Sequence, residues 1–279
     1  MTHSPRNPMT LWRATGGLVL RVSLLRVSLL RALLLCASLL CASLLRVSLA
    51  SALLLCARSA FAADSWGGSV TASSDYLVRG ISRTDDHAAL QFDFHYENTS
   101  GLIAGLFASN SQIYPGASED VELSPFVGFA WAVGDDWRTR VLGAHYSYPW
   151  NRAGSHYDYD EVDLEAEYQG WLSAGFTYSP NTPYVSLNEY QLRSAASESA
   201  QINLQHRLVG KLMGNAGVGY AYLAGPNAVG YGYWSVGLNY DLRPFTLAAT
   251  YVGTTSQPEV LFYGTSGGGR WTGTVIWRF

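Results

Sequence analysis

The sequence predicts an all-β protein: a transmembrane antiparallel up-and-down β-barrel of about twelve strands, after a cleaved signal peptide. Three observations lead to this prediction. The chain opens on an apolar leader, apolar and polar residues alternate through the remainder, and no later apolar run has the composition of a helix. An exported chain of this kind is typical of outer-membrane barrels, because a closed sheet pairs every backbone group inside lipid.

Charge and cysteine are distributed unevenly along the 279 residues, so the chain divides near residue 62. The first 62 residues hold seven of the 18 Lys and Arg, none of the 21 Asp and Glu, and all three Cys. Residues 63–279 therefore carry 11 basic and 21 acidic side chains, a net charge of −10, and no Cys. This acidity argues against a nucleic-acid partner. The lack of Cys argues against disulfide frameworks, Cys-ligated zinc and thiol catalysis in this part.

The leader, residues 1–62, is interpreted as an export signal. Ala60-Phe61-Ala62-Ala63 fits a signal-peptidase site, so cleavage is predicted between Ala62 and Ala63. The segments RVSLL and CASLL each occur twice in tandem, which either a duplication or a start codon placed too far upstream explains. A transmembrane anchor over residues 32–57 is the alternative, although Arg46 interrupts that span.

Alternation with a period of two, the pattern of a strand with one apolar face, runs through residues 63–279. In Leu90–Glu97, one face is Leu, Phe, Phe and Tyr, and the other is Gln, Asp, His and Glu. The uncharged run Leu212–Tyr240 carries seven Gly and alternating Tyr, which favours strands over a helix. The predicted strands are 67–80, 89–97, 102–110, 120–133, 137–149, 158–168, 171–179, 198–208, 213–223, 230–240, 244–254 and 270–279.

The predicted connections alternate between short and long, which is typical of outer-membrane barrels with short periplasmic turns and longer external loops. Residues 184–192 could form a further strand, which would change the count. The short connections are 98–101, 134–136, 169–170, 209–212 and 241–243. The long connections are 81–88, 111–119, 150–157, 180–197, 224–229 and 255–269.

The last predicted strand would pair with the first and close the sheet. It ends on alternating aromatic residues, with Trp277 two positions before the terminal Phe279. This ending is similar to the C-terminal signal that the outer-membrane barrel assembly machinery reads. The sequence therefore predicts that machinery and the outer-membrane lipid as partners.

The first two predicted hairpins carry a specific pattern: SSDYLVRGIS at 73–82, AALQ at 88–91 and SGLIAGLFASN at 100–110. This pattern resembles the TorF family of porins, with a match that is specific within residues 70–110 and compositional beyond. The usual Pro-Ala before the second strand is Ala88-Ala89 here. The matching residues are Tyr76, Arg79, Gly80, Ser82, Gln91, Gly101, Gly105 and Ser109. The resemblance implies an outer-membrane barrel and a channel, and it supplies no solute.

Polar faces are predicted to line the barrel interior, because apolar faces meet lipid. Folding 137–149 back on 158–168 places Arg138 near Glu167 and Arg140 near Glu165, pairs that would stabilise neighbouring strands. Either a charged constriction that selects ions or a packed interior of mutually satisfied pairs fits this pattern. An excess of acids predicts cation preference if the barrel conducts. The predicted pore-lining residues are Asp75, Arg79, Gln91, Asp93, His95, Glu97, Arg138, Arg140, Glu161, Asp163, Glu165 and Glu167.

No metal site and no cofactor are predicted, because the loop carboxylate pairs match no calcium-loop spacing. Tryptophans near the predicted strand ends suit interfacial girdles, although ordinary sheet packing would also explain them. These residues are Trp66, Trp131, Trp137, Trp150, Trp171, Trp271 and Trp277.

An enzyme is the less favoured interpretation. His145-Tyr146-Ser147 places a His and a Ser two apart on one strand, as in the outer-membrane phospholipase. A nucleophile also needs a group that orients its base, and the sequence nearby shows no evident Asn or Asp for that task. The sequence therefore predicts a non-enzymatic channel for passive diffusion of small solutes or ions across a Gram-negative outer membrane. A non-conducting structural or adhesive barrel and a lipid hydrolase remain the alternatives.

Overall fold

The computed structural model describes residues 64–112, 120–151, 157–186, 191–224, 228–255 and 268–279. The predicted leader, its cleavage site and much of the long connections lie outside these ranges. Within the described ranges, no helix is both long enough and apolar enough to cross a membrane.

Twelve antiparallel strands in the described part of the chain form a closed barrel, and two short strands form a separate hairpin. Each barrel strand pairs with its sequence neighbour in the barrel, and the first and last strands pair to close it, with Ser73 opposite Thr274. The strands are β1 (Ser65–Ser73), β2 (Leu77–Val78), β3 (Ile81–Ser82), β4 (Ala89–Glu97), β5 (Leu102–Ser111), β6 (Asp120–Val133), β7 (Trp137–Tyr146), β8 (Tyr159–Tyr168), β9 (Leu172–Ser186), β10 (Gln191–Val209), β11 (Leu212–Leu223), β12 (Val229–Leu242), β13 (Phe245–Thr254) and β14 (Arg270–Arg278). The all-β barrel predicted from the period-two pattern is confirmed.

The first predicted strand, 67–80, is wrong beyond its midpoint, because β1 ends at Ser73. The Ser73 hydroxyl donates a 2.6 Å hydrogen bond to the Asp75 carbonyl, and the chain leaves the barrel wall there. Residues that were expected to extend β1 instead form β2 and lead into β3.

The uncertain region 180–197 belongs to two long strands. Strands β9 and β10 pair from Leu172 opposite Leu204 to Ser186 opposite Gln191, with one register shift between Ala195 and Ser197. Residues 184–186 end β9 and residues 191–192 begin β10, so they form no extra strand and the number of barrel strands stays even.

The two ends of the barrel differ, and we name them by their connections. The turn end holds the short connections together with the start of β1 and the end of β14, and the loop end holds the long connections. Alternate side chains are strongly exposed on the outer face, as shown by Leu90 at 62% and Val218 at 60%. The polar side chains between them point into the interior, because successive residues of a strand face opposite sides.

Aromatic rings gather near both ends of the outer face. At the turn end, Trp66 lies 4.9 Å from Tyr96 and Trp137 lies 5.0 Å from Tyr168, measured between ring centroids. At the loop end, Tyr251 lies 5.3 Å from the Trp271 ring. This distribution suits an apolar band with aromatic borders.

Candidate functional site

Residues 74–88, which we call the inner hairpin, connect β1 to β4 and fold into the loop-end half of the barrel. Strands β2 and β3 pair through Leu77 opposite Ser82 and Val78 opposite Ile81. Side chains of the hairpin bond to β6, β8 and β14, and Ile81 shares a buried cluster with residues of β9, β11 and β12. Because these strands lie on opposite sides of the barrel, the hairpin crosses the interior.

Asp75 organises the base of the inner hairpin. Its Oδ1 accepts hydrogen bonds from the hydroxyls of Ser82 at 2.6 Å and Thr84 at 2.9 Å. Its Oδ2 accepts a 3.2 Å bond from Arg270 on β14, and Arg270 also bonds to Asp86. Asp75, Ser82 and Thr84 are all buried. Asp75 therefore holds the two arms of the hairpin together and ties them to the wall.

The tip of the inner hairpin is a two-residue turn in the left-handed region, with φ of 52° at Arg79 and 81° at Gly80. This conformation matches tight hairpins and favours glycine at the second position. A β-carbon added at Gly80 would lie 2.7 Å from Thr254 Cγ2, so the tip also sits directly against β13. The Arg-Gly pair of the sequence motif thus builds a turn in which a side chain at residue 80 would meet the Thr254 methyl group.

Arg79 fastens the tip to the opposite wall. Its Nη1 and Nη2 donate to Glu161 Oε1 at 2.9 Å and Oε2 at 3.1 Å. The Arg79 side chain is 21% exposed and the Glu161 side chain 5%. Burial alone would lower the pKa of Arg79, but the charge and hydrogen bonds of Glu161 raise this pKa above its ordinary value. The pair is therefore an ionised, bidentate contact inside the barrel.

A second polar contact lies beside the hairpin on β6. Glu122 accepts from the Tyr76 hydroxyl at 2.9 Å and from the Tyr148 hydroxyl at 2.6 Å. Burial and then the charge of Glu122 raise the pKa of Tyr148 well above its ordinary value, so its phenol stays a neutral donor. Arg83 donates a 3.4 Å bond to the Tyr159 hydroxyl nearby.

The apolar side of the hairpin fills the remaining cross-section. Ile81 is buried in one cluster with Tyr184, Ala221, Leu223, Tyr231 and Tyr233. The cavity left between the hairpin and this wall is about 30 Å³ and is lined by Arg79, Arg83, Glu161 and Tyr231 among others. A single water occupies about that volume, so the hairpin is packed closely against this wall.

The turn-end half of the interior is open. It contains cavities of about 680, 280 and 170 Å³. The largest is lined by Asp241, Arg243 and Arg278, and Glu165 and Glu167 line both of the others. Arg140 donates to Glu165 at 2.5 Å, with side chains 48% and 36% exposed. Charged groups here face space that holds many waters.

The structure brings together several residues predicted to line the interior. Arg138 lies opposite Glu167 and Arg140 opposite Glu165, in the register expected from the sequence. On β4, Gln91 lies opposite Thr71 of β1. On the same strand, His95 Nδ1 lies 2.6 Å from Asp93 Oδ1.

The remaining predicted lining residues are divided between the two halves. Glu97 lines the 170 Å³ cavity at the turn end, and Asp163 accepts a 2.6 Å bond from Thr177 between the halves. Asp75 and Arg79 belong to the inner hairpin, so their predicted place on the first barrel strand is wrong. Because the inner hairpin itself lies inside the barrel, both side chains are in the interior.

The motif residues fall into two groups. Tyr76, Arg79, Gly80 and Ser82 all belong to the inner hairpin. Gly101 forms a turn with φ of 94°, and Gln91 lies opposite Ser109 across β4 and β5. A β-carbon at Gly105 would lie 2.5 Å from the carbonyl oxygen of Phe94. The motif therefore specifies the hairpin and the sheet that carries it.

Sequence reasoning missed the partners that seat the hairpin: Glu122, Tyr148, Tyr231, Tyr233 and Arg270. Alternation in β6 gives a signal for one of them, since Asp120, Glu122 and Ser124 alternate with Val121 and Leu123. The tyrosines follow the period of their strands, but nothing in the sequence shows that a distant hairpin covers them.

The C-terminal residues lie on the closing seam. Phe279 exchanges two 3.2 Å backbone hydrogen bonds with Gly68 of β1. A β-carbon at Gly68 would lie 2.7 Å from the Phe279 ring, so that ring covers the glycine. The Trp277 ring lies 5.2 Å from it on the same outer face.

The His145-Tyr146-Ser147 segment lies at the loop end of β7, with His145 on the outer face. His145 Nδ1 lies 2.8 Å from Asp160 Oδ1 on the neighbouring strand, so the expectation that no Asp is near is wrong. The Ser147 hydroxyl donates to the Leu123 carbonyl at 3.2 Å.

Among the described residues, no group of three or more His, Cys, Asp or Glu could hold a metal ion.

Three solved porin structures are similar to this chain at low identity. The NanC porin has a TM-score of 0.49 and 9% identity, covering 76% of this chain and 98% of its own. The KdgM porin in complex with disordered oligogalacturonate has a TM-score of 0.48 and 10% identity, covering 76% and 99%. Salmonella typhi OmpF in complex with daunomycin has a TM-score of 0.43 and 7% identity, covering 77% and 97%.

No curated protein matches the chain. A family model does match, over residues 58–277, and its description is "Bacterial protein of unknown function (Gcw_chp)". That match spans the whole barrel from β1 to β14 except the last residues. The chain belongs to the Gcw_chp family of bacterial proteins.

Proposed function

We propose that this protein is a channel of the Gram-negative outer membrane, through which small ions or solutes diffuse passively. One observation carries the proposal: a closed barrel with an exposed apolar outer face encloses open, charged space. An apolar exterior around a charged, water-accessible interior suits a conduit through lipid.

The membrane location is supported by the outer face. Apolar residues such as Leu90 and Val218 are more than half exposed on an otherwise well-paired sheet. Lipid would cover these side chains, and the aromatic rings at both ends would lie at its two interfaces. The resemblance of residues 70–110 to the TorF porin family supports the same role. The seam formed by Phe279 and Gly68 is where we expect the barrel assembly machinery to recognise the last strand.

Cation preference is the finer part of the proposal. Strand β8 carries Glu161, Asp163, Glu165 and Glu167 on its inner face, and Arg79 and Arg140 each pair with one of them. The Asp163 side chain accepts a bond from a neutral threonine. Unpaired carboxylates in a narrow interior raise the local concentration of cations.

The test is the conductance of the protein in a planar bilayer under a salt gradient. The full chain is expressed in a Gram-negative host without its major porins and purified from the outer membrane. Discrete conductance steps with a reversal potential on the cation side are expected. A barrel that reaches the outer membrane and never conducts would contradict the channel.

A non-conducting barrel is the second candidate, and the packed inner hairpin specifically favours it. The hairpin leaves only about 30 Å³ beside it in the loop-end half. If the same bilayer experiment gives no steps even after the hairpin tip is removed, a structural role replaces the channel.

A further inference from the structure

We propose that the inner hairpin is a gate, held shut by the contact between Arg79 and Glu161, and that solutes pass only when it leaves its seat. The inference rests on the proposed channel and names the element that controls it. The hairpin narrows the loop-end half of the interior, since the cavity beside it is about 30 Å³ and larger cavities lie on the turn-end side.

Several hydrogen bonds lie within the hairpin itself. The Arg83 amide donates to the Tyr76 carbonyl at 2.7 Å, and the Tyr76 amide donates to the Thr84 hydroxyl at 3.1 Å. Asp75 binds Ser82 and Thr84 within the same segment. These bonds stay intact if the hairpin moves as a rigid body, whereas the 2.7 Å bond from the Gln112 amide to the Arg83 carbonyl is one that the movement breaks.

The contacts at its base and at its tip differ in kind. The base is covalently continuous with β1 and is tied to β14 through Asp75 and Arg270. Among the described residues, the tip contacts distant strands through side chains: Arg79 bonds to Glu161, Ile81 packs in the tyrosine-rich cluster, and Gly80 lies against Thr254. We infer that the hairpin stays attached at its base and that opening breaks the contact between Arg79 and Glu161 at its tip.

The chemistry of the latch supports a reversible contact. Replacing a buried ion pair by packed apolar residues is often neutral or stabilising, so a permanent plug does not need one. Water would solvate both Arg79 and Glu161 once they separate. This solvation offsets part of the free energy that is lost when their contact breaks.

A disulfide across the tip tests the gate directly. Cys36, Cys41 and Cys56 are first replaced by Ala, so that the introduced thiols are the only ones. Gly80→Cys is then combined with Thr254→Cys, because a β-carbon at residue 80 lies 2.7 Å from Thr254 Cγ2. In the double variant the sulfur at residue 254 takes the place of that methyl group, so the two introduced side chains are in contact. The two single-cysteine variants are the controls.

The gate predicts conductance steps from the reduced double variant, loss of those steps on oxidation, and their return with reductant. The single-cysteine variants should not respond. Equal conductance in the oxidised and reduced forms would overturn the gate, and so would failure of the bridge to form, because residue 80 would not be seated against β13.

A second variant separates failure of the gate from failure of the channel. Residues 77–82 are replaced by two glycines, which removes the tip. If this variant is silent in the bilayer, the channel proposal fails. If it conducts while the intact chain never does, the hairpin is a permanent plug, and the gate and the channel are both overturned. The gate alone is overturned if the intact chain conducts and bridging the tip does not stop it.

The latch itself is tested by Glu161→Gln, with Glu165→Gln on the same strand and face as its matched control. Loss of a buried bidentate pair is expected to raise the ratio of open to closed time by about tenfold or more. The control should leave that ratio unchanged. Equal ratios in the two variants would remove Arg79 and Glu161 from the gate.

Discussion

The two halves of the barrel interior are built from similar residue types and differ in what fills them. In the loop-end half, Glu161 binds Arg79 while 5% exposed, and about 30 Å³ remains beside the hairpin. In the turn-end half, Glu165 binds Arg140 while 36% exposed, and cavities reach about 680 Å³. Both carboxylates lie on the inner face of β8, four residues apart.

This difference shows that a charged residue on the inner face of a barrel does not by itself define a pore. The same column of acids contributes a packed contact at one end and a solvated wall at the other. In the proposed channel, the loop-end half would control passage and the turn-end half would select the ion.

The largest expected effect compares Glu161→Ala with Glu165→Ala. Removal of Glu161 leaves the Arg79 guanidinium buried without its partner, which should cost about 3 kcal/mol in the free energy of unfolding. Removal of Glu165 should cost about 1 kcal/mol or less, because its pair is well exposed. Urea unfolding in lipid vesicles, followed by tryptophan fluorescence, measures both. Equal losses would contradict the distinction between the halves.

A smaller difference is expected between Gly80→Ala and Gly134→Ala. Both glycines have positive φ, 81° and 65°, so each substitution should cost about 1 kcal/mol from backbone strain. A β-carbon at Gly80 also meets Thr254, whereas none of the described atoms lies within 4 Å of one at Gly134. The same unfolding assay should show the greater loss for Gly80→Ala. A loss confined to Gly134→Ala would mean that the tip is not seated as described.

Ion selectivity should respond to charge on the inner face alone. The double variant Asp163→Asn plus Glu165→Gln should shift the reversal potential toward zero, because it removes two lumen carboxylates. Asp160→Asn on the outer face of the same strand is the control and should leave the potential unchanged. An unchanged potential in the double variant would contradict the assignment of the inner face.

The smallest effect concerns the N-terminal edge of the turn end. Hydrogen bonds from the Thr99 amide and the Tyr96 hydroxyl lower the pKa of Asp64. Its contribution to stability is therefore present above the ordinary carboxyl pKa of about 3.9 and is lost as the pH falls through the lowered value. Carboxyl NMR of the protein in detergent should give a titration midpoint for Asp64 at a lower pH than the midpoint of Asp64 in a peptide. A midpoint at the ordinary value would show that the two bonds do not form.

Much of the fold was predictable because alternation of apolar and polar residues identifies a long strand that has one outer face and one interior face. The register of β7 against β8 was predicted by folding the two strands back on each other about the long connection between them, which places Arg138 opposite Glu167. The inner hairpin was not predictable in the same way. Asp75 and Arg79 keep strand parity, and Arg79 binds Glu161, which is 82 residues away in the chain. Only tertiary contacts show that this segment leaves the wall.

The most direct test of the account compares two serines of β9 that share the inner face. Ser179 is fully buried at the loop end, and Ser173 lines the 280 Å³ cavity at the turn end. Each is changed to Cys in the chain that lacks Cys36, Cys41 and Cys56, and the purified protein in detergent is treated with a charged methanethiosulfonate. Rapid modification is expected at residue 173 and protection at residue 179, and the protection should be lost when Glu161 is replaced by Ala. Equal rates at the two positions in the otherwise intact chain would contradict it.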